Sequence, residues 1–111
     1  MPSRLTSKYR AVRTVCRAKH SHASKRESAR CDELHLMVKG KQIRELIADP
    51  QPRYPLVVNG VKVGTYVADF YYFDIRKKVA VVEDVKGMPT PVYRLKKKLV
   101  KALYGIEISE V

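Results

Sequence analysis

Acidic side chains rarely sit inside buried strands without a partner or a use, and two apolar runs of this 111-residue chain carry three of them. Asp69 stands within Thr65-Tyr66-Val67-Ala68-Asp69-Phe70-Tyr71-Tyr72-Phe73, and Glu83 and Asp84 interrupt Val79-Ala80-Val81-Val82-Glu83-Asp84-Val85-Lys86. Alternation along a strand puts Asp84 and Lys86 on one face with Ala80 and Val82, and Glu83 on the other with Val81 and Val85. A hairpin turning on Arg76-Lys77 sets Asp69 directly opposite Asp84 on that same face, and a slip of one residue would substitute Glu83. Two opposed, partly buried carboxylates repel each other unless a proton or a cation lies between them. A divalent ion relieves the pair, and all-oxygen ligands favour Mg²⁺ or Mn²⁺ over zinc. Such an ion beside a phosphate activates water and stabilises the leaving oxygen. Lys86 would then orient or deprotonate that water, or neutralise the phosphate. The plainer alternative for Asp84 and Lys86 is an exposed ion pair on a sheet face, which is worth little.

The elements that must hold these groups are legible in outline. Ser24-Lys25-Arg26-Glu27 has the form of a capping box, and Cys31, Leu34 and Val38 recur behind it at helical spacing, so a helix is expected over 24–38 with Gly40 ending it. Extending that stripe back by four residues lands on Glu27, which places its carboxylate at the top of the buried face. Capping and chemistry are both open for Glu27. After Pro50, Pro52 and Pro55, residues 54–58 read as a strand, and Asn59-Gly60 is a dipeptide of tight hairpin turns. Residues 65–73 and 79–86, joined through 74–78, complete an expected three-stranded antiparallel meander. Thr90-Pro91 supplies a cap and a first-turn proline for a second helix ending at Gly105, with Val92, Leu95, Leu99 and Leu103 as its apolar stripe. Arg94, Lys96, Lys97, Lys98 and Lys101 occupy its other surface, and residues 105–108 alternate like a short final strand. The expected order is α-β-β-β-α-β.

Composition narrows the partner. The chain is long enough for one compact domain, and 23 Lys+Arg against 11 Asp+Glu leave a net charge of +12. Residues 1–30 hold nine of those basic residues against the single acid Glu27, so residues 1–23 read as a basic, extended arm that orders on a polyanion and residues 24–111 as the folded domain. The arm has no large apolar face to sink into a bilayer, which favours nucleic acid over a membrane. No membrane span or signal peptide is evident, and a cytoplasmic location is expected. Cys16, His20, Cys31 and His35 have spacings that could hold structural zinc. Cys31 is already accounted for as a core position, which weakens that reading.

Asp69 followed fifteen residues later by Asp84-Val85-Lys86 resembles the signature of the PD-(D/E)xK nuclease superfamily. Ser24-Lys25-Arg26-Glu27, Tyr66-Val67-Ala68-Asp69-Phe70, Val82-Glu83-Asp84-Val85-Lys86-Gly87 and Tyr93-Arg94-Leu95-Lys96-Lys97-Lys98 are similar to motifs of a small phage and prophage domain family assigned to that superfamily. Ala68 stands where the superfamily's name has a proline, and His22 and its neighbours replace a more apolar approach to the first helix. The resemblance implies an α+β, restriction-endonuclease-like αβββαβ core, a central mixed sheet flanked by helices. It implies that Asp69 and Asp84 bind Mg²⁺ or Mn²⁺, that Lys86 assists the water, and that Glu27 adds an outer carboxylate. The expectation is therefore a metal-dependent DNA endonuclease, with branched or junction DNA as a candidate substrate by analogy with small resolvases. Arg94, Lys97, Lys98 and Lys101, with Lys25 and Arg26, would grip backbone phosphates of double-stranded or branched DNA. A second copy of the chain is a further candidate partner. A non-catalytic DNA-binding or packaging-associated module on the same fold is the alternative, and a basic RNA-binding protein is the third.

Overall fold

A computed structural model describes residues 14–15, 21–22, 24–85 and 89–111, the first four of these by backbone alone. Thr14–Val15 (β1) and Ser21–His22 (β2) form a short antiparallel ladder, Thr14 opposite His22. Helix α1 follows as Lys25–Lys39. The Ser24 hydroxyl caps it by accepting a hydrogen bond from the Glu27 N–H at 3.2 Å, as the capping sequence predicts. Its buried face is Glu27, Ser28, Cys31 and Leu34. The helix runs past Val38 as expected, but Val38 does not continue its buried stripe: Met37 packs against the core at the last turn, and Val38 is exposed. At the far end Gly40 donates to the Leu36 carbonyl at 2.9 Å, and Lys41 takes the left-handed conformation.

The fold is α+β, and its strands depart from the expected single meander. Ile43–Ile47 (β3) is a strand that the pattern did not reveal, because Arg44 and Glu45 mask its alternation and Glu45 takes a positive φ where the pairing shifts register. Arg53–Val58 (β4) and Val61–Val67 (β5) form their own two-stranded sheet around Asn59 and Gly60, whose φ angles of 50° and 78° are the positive values a tight turn needs. Phe70–Asp74 (β6) and Val79–Asp84 (β7) belong to a second, mixed sheet ordered β3-β6-β7-β8, where β8 is Ile108–Glu110 and runs parallel to β7. The run 65–73 is thus divided between two sheets. The division falls within one dipeptide: the Ala68 N–H donates to the Pro52 carbonyl beside β4 at 3.0 Å, and the Asp69 N–H donates to the Glu83 carbonyl of β7 at 3.1 Å.

Helix α2, Pro91–Tyr104, starts at Thr90, whose hydroxyl accepts from the Tyr93 N–H at 3.1 Å, and ends at Gly105 with φ 69°. Its packed side differs from the expected stripe by one position. Tyr93 and Val100 are buried, Lys96, Lys97 and Leu99 are half-buried, and Val92 and Leu95 are 62% and 59% exposed. The aromatic residues explain the roll of about 100° that one position represents. Tyr93 packs on Tyr66 of the hairpin, Tyr104 meets Tyr54 edge-on, and the Tyr104 hydroxyl donates to the Pro55 carbonyl at 2.6 Å. Tyrosine rings bury large areas while keeping a polar tip satisfied, so they outweigh the aliphatic stripe.

The mixed sheet has a core on each face. Cys31, Leu34, Ile43, Ala48, Phe70 and Tyr72 fill the α1 side, and Leu56, Tyr66, Val82, Tyr93, Val100 and Ile108 fill the side covered by α2 and the hairpin. No helix among the described residues is long and apolar enough to cross a membrane.

Candidate active site

The β6–β7 register is the expected one, with Phe70 opposite Glu83 and Tyr71 opposite Val82. Asp69 lies one residue before β6 and so falls opposite Asp84. Both side chains line a cleft of about 360 Å³ between the end of the mixed sheet and the start of α2. Glu27 enters the same cleft from α1. Of its two readings the carboxylate follows the second: the Ser24 hydroxyl accepts from the Glu27 N–H, while the Glu27 side chain, in a residue only 9% exposed, lines the cleft beside the two aspartates.

Each acid is oriented by donors. Asp69 accepts from the Gln51 side-chain amide at 3.1 Å through one oxygen and from the Val85 N–H at 2.6 Å through the other. Asp84 accepts from the Tyr66 hydroxyl at 2.5 Å. Burial is the main influence that pushes the Asp69 carboxyl up to about 7, and the charges of Glu27 and Asp84 push the same way against the Val85 N–H. Hydrogen bonding of the protonated Asp69 carboxyl to Asp84 acts in the same upward direction. Burial and the Asp84 carboxylate likewise raise Tyr66, which keeps its proton and acts as a donor.

Glu83 takes no part in this cleft. It is directed to the α1 side, where Arg30 grips it with two hydrogen bonds of 2.9 and 2.6 Å and the Tyr72 hydroxyl donates to it. The one-residue slip that would have put it in the place of Asp84 does not occur.

Hard carboxylate oxygens suit Mg²⁺ or Mn²⁺. Among the described residues no group of three or more His, Cys, Asp or Glu is arranged to hold an ion. Asp69 and Asp84 would therefore supply two ligands and leave the rest to water and substrate phosphate, a usual arrangement for Mg²⁺. Each carboxylate oxygen has two acceptor positions, so the donors already present leave room for an ion. Lys86 lies outside the described residues, as do Cys16 and His20 of the zinc candidate set. Of that set, Cys31 is fully buried in the α1-side core and His35 is half-buried.

Arg94, Lys97, Lys98 and Lys101 share a second groove, of about 480 Å³, between α2 and the segment leading into β8. Lys97 pairs with Glu110 at 3.4 Å and Lys101 with Glu107 at 2.9 Å, whereas Arg94 and Lys98 have no ion pair among the described residues and are exposed. Lys25 and Arg26 are exposed at the start of α1, where Arg26 reaches the Val111 carbonyl at 3.4 Å. The pattern missed Gln51, Tyr66, Tyr93 and Lys96 as residues of the cleft or its support. Tyr93, Lys96 and Val100 are spaced three and four apart, which was the available signal for a rival packed face on α2.

Residues 6–109 match a family described as a protein of unknown function, DUF1064. The chain belongs to the DUF1064 family. No curated protein and no solved structure matches it.

Proposed function

We propose that this DUF1064 protein is a metal-dependent endonuclease of the PD-(D/E)xK type, with a restriction-endonuclease-like core, that hydrolyses DNA phosphodiesters. The observation that carries the reading is the convergence of Asp69 and Asp84 in one cleft, where burial and neighbouring carboxylates hold the Asp69 proton to about pH 7. Such an arrangement stores repulsion that a cation releases on binding. Bound there, Mg²⁺ or Mn²⁺ would supply Lewis acidity toward the phosphate and a more acidic water. Gln51, the Val85 N–H and Tyr66 hold the two carboxylates in place, Glu27 adds negative charge behind them, and Lys86 follows Asp84 by two residues as a candidate for orienting the water. The groove carrying Arg94, Lys97, Lys98 and Lys101, with the basic arm, grips phosphates by charge and reads no sequence.

The deciding experiment incubates linear and four-way branched DNA with the wild type and with Asp84→Asn in Mg²⁺ and in Mn²⁺. Cleavage by the wild type, lost in the variant, is expected. DNA bound but never cut would favour the non-catalytic binding module, which also accounts for the separate basic groove.

A further inference from the structure

The five basic residues of α2 do not act together. Lys97 and Lys101 lean toward the β8 side and are ion-paired with Glu110 and Glu107. Lys96 lies on the opposite flank, three residues after Tyr93 and four before Val100, the two buried residues of the helix. Its stem crosses the hairpin at Gly64: a Cβ built on that glycine would lie 4.0 Å from the Lys96 Cε. From there Lys96 lines the cleft that holds Glu27, Asp69 and Asp84, and among the described residues it has no ion-pair partner. Long lysine stems commonly lie on apolar surface in this way and carry the charge to their far end.

A cleft with three carboxylates repels a phosphodiester. A divalent ion answers part of that charge, and a compact ammonium on the opposite wall answers more at the oxygen that gains charge in the transition state. Resting on the nuclease reading, we propose that Lys96, a cation lining the cleft, contacts a non-bridging oxygen of the scissile phosphate. In the step it serves, the water oxygen forms a bond to phosphorus and the bond from phosphorus to one bridging oxygen breaks. Water releases a proton to solvent and the departing oxygen takes one up. The ammonium remains protonated throughout, so its task is charge and position.

The test uses the full chain as wild type, Lys96→Ala and Lys96→Arg. In Mn²⁺, Lys96→Ala is expected to lower kcat by about a hundredfold, the effect typical of one electrostatic group, with KM within about twofold of wild type. Lys96→Arg keeps the charge and restores at least about a tenth of the rate. An undiminished kcat, or a loss confined to KM, would overturn the assignment. A second measurement needs no turnover: in Ca²⁺, branched DNA should protect the Lys96 amine from reductive methylation, read by mass spectrometry. An unprotected Lys96 overturns the assignment even where the variants fold poorly. Protection of Lys96 by a wild type that cuts no DNA would sink the nuclease reading alone and leave Lys96 as a phosphate contact. Cleavage by the wild type with Lys96 unprotected would sink this assignment alone.

Discussion

Glu83 and Asp84 are consecutive residues of one strand, 1% and 5% exposed, and the fold surrounds them in opposite ways. On the α1 face, Glu83 meets a two-pronged arginine and a tyrosine hydroxyl. On the α2 face, Asp84 accepts from the Tyr66 hydroxyl and faces the Asp69 carboxyl. Burying a charge is tolerated when partners replace its water. Glu83 has such partners in Arg30 and Tyr72, whereas Asp84 faces the Asp69 carboxyl, whose proton affinity the Asp84 charge raises. The paired side contributes to folding stability, and on the proposed reading the mismatched side is the one that a cation would relieve.

This contrast breaks most sharply under single substitutions. Asp84→Asn should lower DNA cleavage by about a thousandfold, at the upper end for removal of one charge-stabilising group, while its melting temperature stays at or above that of wild type because the repulsion is gone. The opposite face should reverse both readouts. Arg30→Met strands a buried carboxylate and should cost about 3 kcal/mol of folding stability, measured by urea unfolding, while whatever remains folded still cuts DNA. Glu83→Gln should cost about half as much, since Arg30 is partly exposed and turns toward water more readily than Glu83 can. A melting temperature unchanged in Arg30→Met would show that the two faces are not divided as described.

Metal sharpens the same division. Mg²⁺ or Mn²⁺ at a hundredfold excess over its dissociation constant should stabilise the wild type by about 2.7 kcal/mol. Calorimetry should find that response missing in Asp69→Asn/Asp84→Asn and intact in Glu83→Gln. An equal response in the double variant would place the ion elsewhere.

Proton linkage gives a smaller signal with a definite sign. The folded Asp69 carboxyl binds its proton more tightly than the unfolded one, so folding takes up a proton between about pH 4, where the unfolded group titrates, and about pH 7, where the folded one does. Metal-free stability should therefore fall as the pH rises through this window and level off above it. Asp69→Asn should flatten that part of the profile.

The smallest effect concerns grip. Removing Arg94 and Lys98 together should reduce the salt slope of DNA binding by about two units, at about 0.9 for each lost phosphate contact. Removing Lys97 and Lys101 should change it less, because Glu110 and Glu107 already occupy them.

The parts of this arrangement legible from residues alone are those set by local chemistry. Ser24 and Thr90 cap as their types require, Asn59-Gly60 turns as its φ angles require, and the polar segment from Asp74 to Lys78 fixes the register that brings Asp69 opposite Asp84. What was illegible depends on tertiary competition. Nothing within Tyr66-Val67-Ala68-Asp69-Phe70 marks a change of sheet, because every residue except Asp69 is acceptable in either one. The packed face of α2 was misassigned because two stripes, one aliphatic and one carrying Tyr93 and Tyr104, run side by side, and only the hairpin opposite decides between them. Lys96 entered the cleft as a result of that decision.

The exchange of sheets between Ala68 and Asp69 also determines where the chain can change length. Ala68 is bonded to one sheet and Asp69 to the other with no spare residue between. One extra residue there would turn either Tyr66 or Phe70 onto the wrong side of its strand, since side chains alternate, and would separate the hydroxyl of Tyr66 from Asp84. The tip at Asn59-Gly60 carries no such double obligation. A loop, an epitope or a fused domain grafted at the tip leaves the carboxylates in their places, and the same graft five to ten residues later dismantles them.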